Sequence, residues 1–315
     1  MTAALWVGAI AIGLTVAVLG SKSAVAHATK LVAGTRLPPF FVGMTLLALG
    51  TDLPEIANSI VASYTDNGDV NVGDSVGSAI TQLTLVLGVL PFTGFAVMLG
   101  KPGSRLANGQ QATAWLTAAG LVGVAVVVSD DHLGRLDALL LITVWVAGSK
   151  LVYGVTRTDP ELSLAEPVSN RTGIVLRLLI AVVAIGAGAT LAVSGVIELA
   201  EEWGIPTFIV AFFGASIGTS LPEGIVAYTA LRRGESALAV GDVLGSSFAD
   251  ATLSISVGPL LFPTVVAGNL GVTAALVTAG AASVVALLLG RGEELDRRGG
   301  AILLIVYAAS WPLLL

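Results

Sequence analysis

The sequence predicts an all-α membrane protein: ten transmembrane helices arranged as two inverted five-helix repeats, with helices 2, 3, 7 and 8 broken. Three observations carry that prediction. Of 315 residues, 55% are hydrophobic and only 11% charged. A soluble domain carries roughly 25% charged residues, so the folded surface is not a water-facing one. The apolar residues also fall in continuous runs of about 17–25, the length that crosses ~30 Å of hydrocarbon as a helix. Finally, one stretch of the chain, 38–91, recurs in recognisable form as 206–259.

The same figures exclude other classes. Apolar dominance rules out disorder, and continuous rather than alternating runs disfavour a β-barrel. A net charge of −6 and a pI near 4.9 leave no basic patch for nucleic acid. With no cysteine and only His27 and His132, thiolate chemistry and a histidine-rich metal site are excluded.

The runs place spans at about 3–20, 38–64, 70–98, 111–129, 136–154, 173–198, 206–231, 237–262, 270–289 and 300–315. The first has no base before it and Lys22 after it, the reverse of a secretory signal, and reads as a retained helix. His27 then falls in the turn that follows. Trp6, Tyr64, Trp203 and Trp311 lie near outer helix ends, as interface anchors do. Of the 15 bases, 14 fall in or beside the connections after spans 1, 3, 5, 7 and 9, and only Arg135 lies on the other side. The positive-inside rule makes those connections cytoplasmic and puts both termini outside.

The 21 acids divide three ways. Eight lie in outer connections and seven beside the inner bases. Six fall within apolar spans without a base: Asp52, Glu55, Asp74, Glu223, Asp242 and Asp250.

Laying position 206 on position 38 aligns 38–91 with 206–259 without a gap and with 18 identities. Gly50-Thr51-Asp52-Leu53-Pro54-Glu55 meets Gly218-Thr219-Ser220-Leu221-Pro222-Glu223, and Val72-Gly73-Asp74 with Gly77-Ser78 meets Val240-Gly241-Asp242 with Gly245-Ser246. Chance similarity of Gly/Ala/Val-rich helices would not place Pro and Glu in register twice. Five spans separate the copies, so equivalent helices cross in opposite directions. The chain divides into a first five-helix repeat (1–155), a cytoplasmic connection (156–172) and a second repeat (173–315). Inverted repeats with interrupted helices mark secondary transporters, whose site lies where the repeats meet.

Pro54 and Pro222 each lack the N–H that would bond the carbonyl four residues back, that of Gly50 or Gly218. Each helix should break there, freeing carbonyls beside the Thr51 and Thr219 hydroxyls, with a glutamate one residue beyond the proline. A packing kink is the bland alternative, but it does not explain two glutamates. Asp74, Ser78 and Gln82, and likewise Asp242, Ser246 and Asp250, recur at i, i+4 and i+8 and so share a helix face. Helix N-capping is the competing reading of Asp74 and Asp242. Together these groups form an oxygen-only set suited to hard cations: calcium takes six to eight oxygens, and sodium can share them. Divalent and monovalent ions competing for shared carboxylates is the basis of antiport.

At these residues the chain resembles the calcium/cation antiporter superfamily, prokaryotic sodium/calcium exchanger type. The usual core, G-T-S-L-P-E followed by G-S-N-I-F-N or G-S-N-I-F-D, stands here as G-T-D-L-P-E with G-S-A-I-T-Q, and G-T-S-L-P-E with G-S-S-F-A-D. The resemblance implies that Glu55 and Glu223 are the central ligands for transported calcium and sodium. It implies flanking oxygens from Thr51, Thr219, Ser220, Ser78 and Ser246, the helix-8 acid from Asp250, and the helix-3 amide from Gln82. Helices 1 and 6 would slide across a static core, in the cell membrane of a prokaryote. No cofactor, enzymatic chemistry or obligatory protein partner is implied; the partners are inorganic cations and the bilayer.

Four positions depart from the pattern. Asp52 replaces serine, Gln82 replaces asparagine, and Ala79 and Ser247 replace asparagines. Asp52 adds a carboxylate at a ligand position, unless it merely caps the helix after the break. It leaves proton-coupled exchange of calcium or another divalent cation as the rival reading. A passive channel is a weaker rival.

Overall fold

Helix follows apolar run along the chain, with two short departures. The computed structural model describes residues 3–33, 37–157, 171–202, 220–266 and 268–314. Its helices are α1 (Ala3–Ala33), α2 (Pro39–Thr51), α3 (Leu53–Tyr64), α4 (Gly68–Phe92), α5 (Arg105–Val127) and α6 (Arg135–Thr156). Then come α7 (Arg171–Glu202), α8 (Leu221–Arg232), α9 (Ser236–Leu261), α10 (Gly268–Leu289) and α11 (Arg297–Leu314). Among the described residues seven helices are long and apolar enough to cross a membrane, or eight if the bent pair α2–α3 counts as one span. The first half of the expected seventh span lies outside the described residues. The tenth, α11, falls short of this group; it begins with Arg297 and Arg298 and contains Pro312.

The first departure is α1, which runs on through Ala33 instead of ending near residue 20. No Gly or Pro interrupts Lys22–Ala33, and the segment is rich in Ala, so nothing in the backbone stops the helix at the membrane edge. His27 is therefore helical rather than in a turn, and its Nδ1 lies 2.7 Å from the Ser23 carbonyl oxygen. A second departure is the two-residue antiparallel ladder between β1 (His132–Leu133) and β2 (Thr264–Val265). The Asp66 carboxylate supports it, accepting from the Val265 N–H at 3.2 Å and the Thr264 hydroxyl at 3.0 Å.

The interruptions expected in helices 3 and 8 take a milder form. Each runs through as one span containing a single π-helical turn, Thr81–Val86 in α4 and Asp250–Ser254 in α9. Thr84 and Thr252, equivalent positions in the two copies of the repeat, each donate to the carbonyl four residues back, a bond that competes with regular helix. Pro259 would still orphan the Ile255 carbonyl. That oxygen instead accepts from Asn71 Nδ2 at 2.9 Å and Ser59 Oγ at 3.4 Å, so α9 survives its proline. Asp74 and Asp242 lie well inside α4 and α9, whose N-caps are Asn67 and Glu235; neither is a cap.

The most buried element is α9, with 94% of its most apolar stretch inside the protein against 22% for α1. It crosses α2 at backbone contact. A Cβ on Gly245 would stand 2.7 Å from the Met44 carbonyl carbon, and one on Gly241 3.2 Å from the Met44 nitrogen. Small residues at such crossings let membrane helices approach. Outside this core, α1 and α7 pair closely: Gly20 meets the Ala181 carbonyl and Gly188 that of Gly13. Arg135, the one base the sequence sets apart from the other fourteen, caps α9 by donating to the carbonyls of Leu260 (3.2 Å) and Leu261 (3.3 Å).

Candidate cation-binding site

The break between α2 and α3 and the start of α8 build the site, and the residue at each has the same backbone shape. Between α2 and α3 the chain bends by 47° at Asp52, whose φ and ψ are −76° and 2°. Ser220, the equivalent position in the second copy, has φ −86° and ψ 3° and precedes α8. In both places a proline is the second residue of the new helix and a glutamate lies in its first turn. Glu55 and Glu223 thus sit at helix N-termini, where free N–H groups and the helix dipole favour negative charge.

The two glutamates converge with Asp52. One carboxylate oxygen from each of Asp52, Glu55 and Glu223 lies within 4.8 Å of the others. All three side chains are fully buried, and none of their six oxygens has a hydrogen-bond partner among the described residues. Asp52 occupies the N-cap position of α3, yet its side chain makes no cap bond, so capping does not account for it. Uncompensated charge buried in this way is costly, and a bound cation is the kind of group that would satisfy it.

The rows on α4 and α9 flank this cluster. Gln82 Nε2 donates to Asp250 Oδ2 at 3.0 Å, while its Oε1 accepts from Ser247 Oγ at 3.0 Å. Both ends of the amide are engaged within the protein, and the donated bond braces Asp250. The other oxygen, Asp250 Oδ1, is buried without a partner. Gln82 and Asp250 are themselves equivalent positions of the two copies. Thr51 Oγ1 lies 3.3 Å from Ser246 Oγ and donates to the Ala48 carbonyl at 3.1 Å. Ser220 and Ser78 are buried, and Ser220 Oγ has no partner among the described residues. At Gly50, the missing side chain makes room for Val182 of α7. Gly218 and Thr219 lie outside the described residues.

Sequence reasoning missed three supporting groups. Asn58 Nδ2 donates to Asp74 Oδ2 at 2.8 Å; its place three residues after Glu55, on the same helix face, was the available signal. Ser247 stands out in the sequence only as a replaced asparagine. The buried, unpartnered hydroxyl of Thr81 beside Gln82 had no signal. The brace yields a prediction. Gln82→Ala leaves Asp250 without its donor, and apparent calcium affinity should fall about tenfold, read by calcium titration of purified protein. An unchanged affinity would show that Asp250 needs no brace.

A buried oxygen-only carboxylate site inside a multi-span helical protein defines a membrane protein that handles hard cations. The chain belongs to the sodium/calcium exchanger protein family, whose profile matches residues 5–153 and 173–313. It is 27% identical over 305 residues to an uncharacterized membrane protein of Methanocaldococcus jannaschii, covering 96% of each chain. The sodium/calcium exchanger MaX1 of Methanosarcina acetivorans is 24% identical over 341 residues, covering 95% of each. A solved structure of the sodium-calcium exchanger NCX_Mj matches with TM-score 0.82 over 99% of both chains at 23% identity, which establishes a common fold.

Proposed function

We propose that this protein is a secondary active antiporter that exchanges sodium for calcium by alternating access at the Asp52–Glu55–Glu223 cluster. The observation that carries the proposal is that cluster: three buried carboxylates without hydrogen-bond partners among the described residues, brought together at the α2–α3 break and the start of α8. Family membership and the relatives named as sodium/calcium exchangers point the same way. Calcium and sodium are the substrates, bound by Glu55, Glu223, Asp52 and Asp250, with oxygens from Thr51, Ser78, Ser220, Ser246 and the Gly50 carbonyl. Thr219 and the Gly218 carbonyl complete the set by repeat equivalence.

The same reading makes the protein ten spans in two inverted halves, 1–155 and 173–315, in a prokaryotic cell membrane with both termini outside. Supporting it, residues in equivalent positions meet each other. Gln82 bonds Asp250, and Glu55 faces Glu223, as residues on a two-fold axis relating two repeats must.

The test is calcium uptake into vesicles containing the purified protein, driven by an outward sodium gradient. Uptake should collapse when the sodium gradient is dissipated. Uptake driven by a pH gradient without sodium would replace sodium with protons as counter-ion, and uptake with neither would identify a channel.

A further inference from the structure

A second feature lies apart from the carboxylate cluster. A cavity of about 580 Å³ opens between α1, α4 and α8. Its walls are largely apolar: Val18 from α1, Leu85 and Val89 from α4, Ile225 and Tyr228 from α8. Val18, Val89 and Tyr228 are each more than a third exposed, so the crevice is open at the surface along an apolar flank. Lys22, Arg232 and Arg233 line one end, and among the described residues none of the lining is acidic. The other end reaches Thr81 and Ser220.

Two features argue against a route for hydrated cations: the apolar walls and three bases at the mouth. They match a different ligand. From Ser220 to Arg232 the crevice follows the twelve residues of α8, about 18 Å of helix, close to the ~15 Å depth of one hydrocarbon leaflet. Basic pockets between transmembrane helices are known binding places for anionic lipid headgroups. Arginine also presents paired donors that suit phosphate. The Arg232 guanidinium lies 5.9 Å from the centre of the Tyr228 ring, a cation–π contact that steadies it at the mouth.

We infer that this crevice binds one anionic phospholipid of the leaflet on the basic face, its phosphate held by Lys22, Arg232 and Arg233 and one acyl chain lying along α8 toward Ser220. The bound chain fills the gap between α1 and α8 and covers the Ser220 side of the ion site.

Native mass spectrometry of the detergent-purified protein, with phosphatidylglycerol or phosphatidylcholine added, tests this. The wild type should retain one phosphatidylglycerol at least tenfold more strongly than phosphatidylcholine. Two variants should lose that retention: Lys22→Gln/Arg232→Gln/Arg233→Gln, which removes the headgroup charges, and Val89→Trp, which keeps the bases but fills the crevice. Elution as a single species on size exclusion shows that each variant is folded, and either variant alone suffices. Equal retention of both lipids by the wild type overturns the inference. So does undiminished phosphatidylglycerol binding in a folded variant; in Val89→Trp it would mean that only the headgroup binds.

Discussion

Glu55→Gln and Glu223→Gln should each abolish sodium-driven calcium uptake, with a loss of a hundredfold or more. The amide keeps the shape of the side chain but removes a charge and offers an N–H to the cation. Breaking a buried charge pair by removing one partner, here the carboxylate that faces the bound cation, typically costs about 3–5 kcal/mol. At about 1.4 kcal/mol per tenfold, that corresponds to two to three orders of magnitude in binding. Neither glutamate side chain has a hydrogen-bond partner among the described residues, so the variants should fold and elute as the wild type does. Vesicle uptake of calcium measures the effect. Near-normal exchange in either variant would move the ion away from the centre of this cluster.

Asp52→Ser should weaken calcium binding by about ten- to a hundredfold while leaving folding intact. Asp52, Glu55, Glu223 and Asp250 give four carboxylates around the site, and the substitution leaves three. The expected effect is smaller than for the glutamates because serine retains an oxygen at the break, as Ser220 does in the equivalent position. Stability should not change much, since neither Asp52 oxygen has a hydrogen-bond partner among the described residues and its side chain does not cap α3. Equilibrium calcium titration reads the loss, and the sodium dependence of uptake in the same variant shows whether Asp52 also serves the counter-ion. Unchanged affinity for calcium together with unchanged sodium dependence would remove Asp52 from the ligand set.

Much of the site is legible in the residues themselves. Pro54 and Pro222 act through their own missing N–H, a covalent property of the residue, so the break at residue 52 follows from the sequence. Glu55 and Glu223 stand out because Pro and Glu recur in register. The convergence of Asp52 on them was not legible, since an aspartate at a helix start has two readings that differ only in where its oxygens point. The longer arm of Gln82 is visible as a departure, but its partners, Asp250 and Ser247, lie on α9 in the other half of the chain. Similarly, Pro259 predicts an orphaned carbonyl but says nothing of the Asn71 and Ser59 groups that satisfy it.

By itself the sequence determined what depends on local composition and covalent geometry. That covers the apolar lengths matched to a bilayer, the charge bias between the two faces, the repeat, and the place where the second span breaks. Tertiary structure decided which side chains share a site and which are spent on each other. It made Gln82 a brace, left Asp52 unbonded, gave Asp74 its Asn58, and opened a basic-mouthed crevice between α1, α4 and α8. The physical reason is that helix formation is settled within a few residues, through i to i−4 bonds and hydropathy. A buried polar group's partner comes instead from whichever helix packs against it, and no local pattern encodes that neighbour.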